Sequence, residues 1–268
     1  FPNLTSTANG TVKRYAKSTS KSYTVTYVPN GGKWPDGTTG NKTQSYKTAN
    51  GFTVKDDLLV KDGYSLLNWE ITSGAGSFSS MVGETLNGGE VIDAGSYGNV
   101  TLTAQYSPNI LWLMYNANGG TVGSDYQLDS DNTICYSGKL KVSYAHIFTY
   151  DEAQKLETDT TFALAKTGYL FGGWNSKADM SGTAYNLTTA YKPSTINSDM
   201  KLPNQVLLSK ELYAKWTPIT YTVEYYVDGV LQTSMTQTCK YDTSYSYKAI
   251  PAITGKTVSG WNSKADMS

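Results

Sequence analysis

Hydrophobic and polar positions alternate along the chain in short runs, and the runs return in the same order. Tyr23, Val25 and Tyr27 alternate with Thr24 and Thr26, and Leu111, Leu113 and Tyr115 take the same places later, as do Tyr221, Val223 and Tyr225. Period two is the signature of a strand with one buried face. Each run leads into Asn30-Gly31-Gly32, Asn118-Gly119-Gly120 or Asp228-Gly229. These dipeptides tolerate positive φ at both central positions and predict a tight hairpin. After a variable middle come Gly63 to Trp69, Gly168 to Trp174 and Gly255 to Trp261, six positions apart each time. A last alternating run follows twice, as Val100, Leu102, Ala104, Tyr106 and as Leu212, Ala214, Trp216. Ala16 precedes Asn30 by fourteen positions, as Ala104 precedes Asn118 and Ala214 precedes Asp228. One spacing met three times marks a tandem array.

The landmarks divide the chain. Residues 1–22 read as the tail of a preceding repeat, with Val12 and Ala16 at the places of Val100 and Ala104 and Arg14 where Leu102 stands. Residues 23–108 form a first repeat, 109–218 a second, and 219–268 a third that is truncated after its Trp. Its last stretch, residues 260–268 (GWNSKADMS), duplicates residues 173–181. A β-domain without its final strand leaves backbone groups and part of its core uncovered. The third repeat is therefore expected to be the least stable, or to borrow a strand from a neighbour. In the second repeat, Thr149 and Glu152 read as a capping box opening a short helix through Leu156, and residues 186–203 form a further enlargement. The junctions Ser107-Pro108-Asn109 and Thr217-Pro218-Ile219 are short and carry proline, which limits bending and predicts an elongated array.

Each repeat is large enough only for a small core. Trp69, Trp174 and Trp261 are expected to fill these cores, because an indole buries a large area; an exposed sugar-stacking indole is the alternative. Val25, Leu113, Val223, Ala104 and Ala214 are the inward partners that the alternation assigns.

Composition narrows the function classes. Among 268 residues, 22 Lys and Arg balance 22 Asp and Glu, which is no electrostatic footprint for nucleic acid or an anionic membrane. No apolar run approaches the roughly 20 residues of a membrane span. Gly and Tyr, 25 and 22 residues, favour turns and strands. The chain starts at Phe1 with no visible signal peptide, so it is expected to come from something longer. Cys135 and Cys239 are too few for a disulfide scaffold, and their pairing is left open.

Candidate chemistry is sparse. His146 stands in the alternating run Val142, Tyr144, His146, Phe148, and no Gly-x-Ser-x-Gly elbow accompanies it. One His and two distant Cys cannot supply the four ligands of a zinc site. Asp125, Asp129 and Asp131 cluster, but without the Gly and closing Glu of a calcium loop they read as a solvated loop. No residue pair is singled out for a Lys–Asn isopeptide bond. The expectation is no catalytic, cofactor-binding or metal-binding residue and no cofactor. Tyr213, Tyr226, Tyr245 and Tyr247, like Tyr15, fall on the outward phase or in loops. They offer a ligand surface of the aromatic kind, or simply follow β-propensity.

The order Tyr-x-Val-x-Tyr, Asn-Gly-Gly, Gly-Tyr-x-Phe-x-Gly-Trp and Leu-x-Ala-x-Trp resembles the Listeria–Bacteroides repeat, also called the internalin B-repeat, of bacterial surface proteins. Residues 168–185 (GYLFGGWNSKADMSGTAY) and 211–216 (ELYAKW) carry the clearest likeness. Leu66-Leu67-Asn68 and Lys256 depart from it, and residues 221–231 are also similar to mucin-binding-type modules. The resemblance implies mainly β (α+β), β-grasp-like small modules strung in tandem along secreted or wall-attached proteins, and no enzyme. It implies an extracellular stalk or adhesion role; a host surface protein or a glycan is the partner that the outward tyrosines would suit. Leu202-Pro203-Asn204-Gln205 lacks the Thr-Gly of a wall-sorting signal.

Overall fold

The computed structural model describes residues 8–56 and 59–264; the last four residues of the second GWNSKADMS copy and the first seven of the chain lie outside the described residues. The chain divides into two compact units, Phe1–Asn109 with Asp199–Val206, and Ile110–Ser198 with Leu207–Ser268.

The first unit is built on one five-stranded sheet. An opening strand, Ser22–Val28, pairs antiparallel with a second strand, Lys42–Lys47, and parallel with a closing strand, Val100–Pro108. The tryptophan strand, Tyr64–Gly74, lies antiparallel to the closing strand, and Thr85–Leu86 adds the far edge. In the second unit Ile110–Asn116, His146–Thr149, Leu207–Pro218, Tyr169–Asn175 and Ala184–Tyr185 occupy the same places in the same order. Described strands far outnumber helices, the longest of which are four residues.

Register explains the spacing of the landmarks. Leu102 lies beside Tyr27 and Leu212 beside Tyr115 across the parallel pair. Ala104 lies opposite Trp69, and Ala214 opposite Trp174. A methyl side chain there leaves room for the neighbouring indole to lie over the sheet, which is why the closing run reads Leu-x-Ala. Val25, Tyr27, Trp69, Leu102 and Ala104 are wholly buried, as are Leu113, Tyr115, Trp174, Leu212 and Ala214. The rings of Tyr27 and Trp69 meet edge-on at 5.1 Å, and those of Tyr115 and Trp174 meet tilted at 4.6 Å. Trp34, which no alternation marks, is also buried and stacks on Trp69 at 6.1 Å.

The turns after the first two opening strands differ from expectation. Asn30 and Gly31 have φ of 47° and 84°, and Gly32 N–H closes the turn on Pro29 O. Lys33 then bridges Val60, and the opening strand's antiparallel partner starts only at Lys42. Asn-Gly here reverses the chain inside a long connection; only Asp228-Gly229 makes a two-residue hairpin, between Tyr226–Val227 and Val230–Leu231.

What the turn does instead is latch the closing strand. Asn30 Nδ2 donates to Ala104 O at 3.0 Å and Asn118 Nδ2 to Ala214 O at 3.1 Å. In return Tyr106 hydroxyl donates to Pro29 O at 2.8 Å, and Trp216 Nε1 to Ala117 O at 3.0 Å. The second glycine lies under this aromatic side chain. A Cβ on Gly32 would stand 2.0 Å from the Tyr106 hydroxyl oxygen, and one on Gly120 would stand 2.4 Å from Trp216 Cζ2. In the third repeat an aspartate, which cannot donate, replaces the asparagine, and Val230 replaces the second glycine.

One further expectation is corrected. The helix expected from Thr149 to Leu156 is a turn followed by a short strand, Gln154–Lys155. Thr149 Oγ1 donates to Glu152 Oε2 within that turn, so the capping pair serves a strand end. The helix falls a few residues later, Asp159–Phe162, where Thr158 N–H donates to Thr161 Oγ1. Residues 10–21, within the segment 1–22 that reads as the tail of a preceding repeat, form no strand. Alternation specifies a face, not a partner, and among the described residues no strand pairs with them.

Leu66-Leu67-Asn68 also leaves a trace. Asn68 stands where Gly173 does, and both lie at a break in register. Asn68 Oδ1 is buried with no hydrogen-bond partner. Segment Asp199–Val206 belongs to the first unit through its main chain. The buried Asn109 donates through Nδ2 to Met200 O at 2.9 Å and Leu202 O at 2.7 Å, and Gly63 N–H donates to Lys201 O.

Gly120→Ala is expected to destabilise the second unit by about 1–3 kcal/mol in urea unfolding, because its methyl enters an indole. Val230→Ala should change stability by no more than about 0.5 kcal/mol.

Candidate functional site

In each repeat the last tyrosine of the opening run and the landmark tryptophan converge on the main chain of one residue. In the first repeat, Tyr27 hydroxyl accepts the N–H of Lys55 at 3.1 Å, and Trp69 Nε1 donates to the carbonyl of the same residue at 3.2 Å. In the second, Tyr115 hydroxyl accepts from Glu157 N–H at 3.2 Å and Trp174 Nε1 donates to Glu157 O at 2.7 Å. In the third, Tyr225 hydroxyl accepts from Lys248 N–H at 3.2 Å and Trp261 Nε1 donates to Lys248 O at 2.9 Å. A residue of the second strand completes each clamp by bonding the tyrosine: Gln44 at 2.8 Å, His146 at 3.2 Å and Gln237 at 2.9 Å. The three hold equivalent register, opposite Val25, Leu113 and Val223.

This places the lone histidine. His146 stands where two glutamines stand in the sister repeats, bonded through Nδ1 to Tyr115 and through Nε2 to Gln154 Oε1. Glu157 Oε1 lies 3.5 Å from His146 Nδ1 and accepts from Tyr144 hydroxyl at 2.6 Å; its Oε2 accepts from Thr161 Oγ1 at 2.9 Å. Burial pushes the Tyr115 hydroxyl well above its ordinary range. Burial, then the bond to Glu157, does the same to Tyr144. Both ring nitrogens and both carboxylate oxygens are engaged within the repeat, so the arrangement ties the loop of Glu157 to the opening and second strands.

The remaining candidates are as bland. Asp129 Oδ1 accepts the N–H groups of Asp131 and Thr133, capping its own loop. Among the described residues no group of three or more His, Cys, Asp or Glu could hold a metal ion, and no helix is long and apolar enough to cross a membrane. Cys135 and Cys239 are both buried and free.

The outward tyrosines separate. Tyr213 is half-buried rather than open, and a hydrogen bond to Glu211 raises its pKa. Tyr226, Tyr245 and Tyr247 are exposed and line one cleft of about 920 Å³ in the third repeat, with Tyr225 and Trp261. Tyr245 and Tyr247 meet at 5.4 Å, and the hydrogen bond between them pushes Tyr245 up to about 12. Trp261 and Val223, assigned to a core, are half-buried. In the other repeats the closing strand covers these positions; among the described residues of the third there is none.

Trp174→Ala is expected to lose about 3–5 kcal/mol on thermal unfolding. His146→Gln, which restores the sister-repeat residue, should stay within about 0.5 kcal/mol of the parent.

A provisionally described Gly-rich membrane protein of Evansella cellulosilytica is 32% identical to this chain over 109 residues, which are 38% of this chain and 12% of that protein. The sequence profile of the Listeria–Bacteroides repeat domain matches residues 23–83, 113–202 and 221–268. Each matched segment begins within an opening strand and runs through the turn and the clamp peptide, and together they cover most of the sequence: the chain belongs to the Listeria–Bacteroides repeat domain family.

Proposed function

We propose that the chain is a non-enzymatic, extracellular repeat segment of a bacterial surface protein, serving as a spacer or adhesion module. Its repeats are β-grasp-like modules arranged in tandem as an elongated array. The observation that carries this reading is the clamp, which recurs in all three repeats and uses a tyrosine hydroxyl and an indole N–H to hold main chain. The β-grasp assignment is supported by the first and last strands lying parallel at the middle of each five-stranded sheet. The family supports the surface setting, and the proline at each junction supports limited bending. Small-angle scattering tests the array. A compact globule of this length has a radius of gyration of about 18 Å; the expected value is well above that, and a value near it refutes the array.

A second reading rests on the aromatic cleft. Four exposed or half-buried rings beside Glu224 and Asp228 suit a glycan or host protein, since aromatic faces give contact area at little entropic cost. On this reading an oligosaccharide shifts the Trp261 fluorescence, and Tyr247→Ala removes the response. Flat titrations across a glycan array leave the spacer role alone.

A further inference from the structure

A single residue, Ile219, separates the closing strand of the second repeat, Leu207–Pro218, from the opening strand of the third, Thr220–Val223. Both its main-chain groups are taken, one by each repeat. Its N–H donates to Gly168 O at 2.9 Å, and its carbonyl accepts from Tyr241 N–H at 2.9 Å. The ladders run up to it on either side, for Tyr169 pairs with Pro218 and Thr220 with Lys240. A linker bends through residues whose main chain is solvated, and this junction has none.

The side chains beside the linker also come from both repeats. The ring of Tyr241 lies on Gly168, where an added Cβ would overlap it, and meets the ring of Tyr169 edge-on at 5.6 Å. The glycine that opens the Gly-to-Trp landmark thus gives the linker its acceptor and the next repeat a bare face. Tyr169 hydroxyl donates to Asp242 Oδ2 at 3.3 Å, and Lys166 Nζ lies over the Tyr169 ring at 4.9 Å. Two parts of the arrangement recur. Asn109 N–H donates to Gly63 O at 2.8 Å, and Tyr150-Asp151 follows Thr149 as Tyr241-Asp242 follows Lys240, from equivalent register.

We propose that Tyr241 and Asp242 form a docking corner that fits the Gly168-Tyr169 face of the preceding repeat and locks the second and third repeats into one rigid body. Successive modules of a chain move against each other unless their contact holds them. Proline in a linker limits bending but leaves the angle between neighbours unset. The corner sets that angle, because Ile219 cannot turn about its main chain without losing a hydrogen bond to one repeat or the other. The inference deepens the spacer reading and rests on it only in taking the repeats as successive modules. A chain that is long but jointed refutes the lock and leaves the array standing.

Residual dipolar couplings of the whole chain test it. Amides of residues 110–198, in the second repeat, and of residues 220–264, in the third, should fit one alignment tensor. Tyr241→Ala, which takes the ring off Gly168, should give the third repeat a tensor of its own with weaker alignment. Its result counts when the Trp261 indole resonance, bonded to Lys248 O, is unmoved and so reports an intact clamp. Tyr169→Phe removes only the hydroxyl that reaches Asp242, from the second repeat's side, and should weaken the third repeat's alignment by less. It decides alone if the first variant loses the clamp. Separate tensors in the parent overturn the proposal, and so does a single tensor that the deciding variants leave unchanged.

Discussion

Each repeat turns on a single residue whose main-chain N–H and C=O two aromatic side chains hold between them. Lys55, Glu157 and Lys248 lie in long connections, where main-chain groups pass close to the core without a strand to pair with. An N–H or C=O buried unpaired costs about 1–3 kcal/mol. The tyrosine hydroxyl and the indole N–H remove that cost on both sides of the same residue, and their rings supply the apolar bulk around it. The clamp therefore joins the opening strand to the tryptophan strand through a loop of variable length. The loop from Tyr115 to Glu157 spans 42 positions and that from Tyr225 to Lys248 spans 23, yet the geometry is kept. Insertions can enlarge the middle of a repeat because the second strand and the one clamped residue keep their places while the connections between them vary.

The closing strand is bound differently. Its alanine sits opposite the clamping Trp and its leucine beside the clamping Tyr; its last aromatic donates to the carbonyl before the turn asparagine, and that asparagine donates to the carbonyl of the closing-strand alanine. Turn, clamp and closing strand are mutually dependent in the first two repeats. The third keeps the clamp but has Asp228 and Val230 in the turn, and among the described residues no closing strand. There Asp228 bonds Lys256 instead.

Much of this was legible in the residues. Alternation located the opening and closing strands, and the spacing from glycine to tryptophan located the third. The Asn-Gly signal was read for its dihedral angles and predicted a hairpin, whereas the asparagine amide serves a carbonyl 74 or 96 positions away. Local sequence carries no record of such a partner. The clamped residue was illegible for a plainer reason. Only its main-chain atoms are used, so lysine and glutamate serve alike and no side-chain signature exists. His146 drew notice as a rare residue, but its role shows only when register sets it beside Gln44 and Gln237. The capping pair Thr149 and Glu152 misled because the same hydrogen bond can end a strand as readily as start a helix.

The short excursion Asp199–Val206 bears on the order in which the protein takes shape. Asn109 is wholly buried, and its amide donates to main chain 91 and 93 residues farther on. As a ribosome delivers the chain from its amino end, the first sheet can assemble early, but that amide stays without those acceptors until Leu202 has emerged. Completion of the earlier unit thus waits on synthesis of most of the later one.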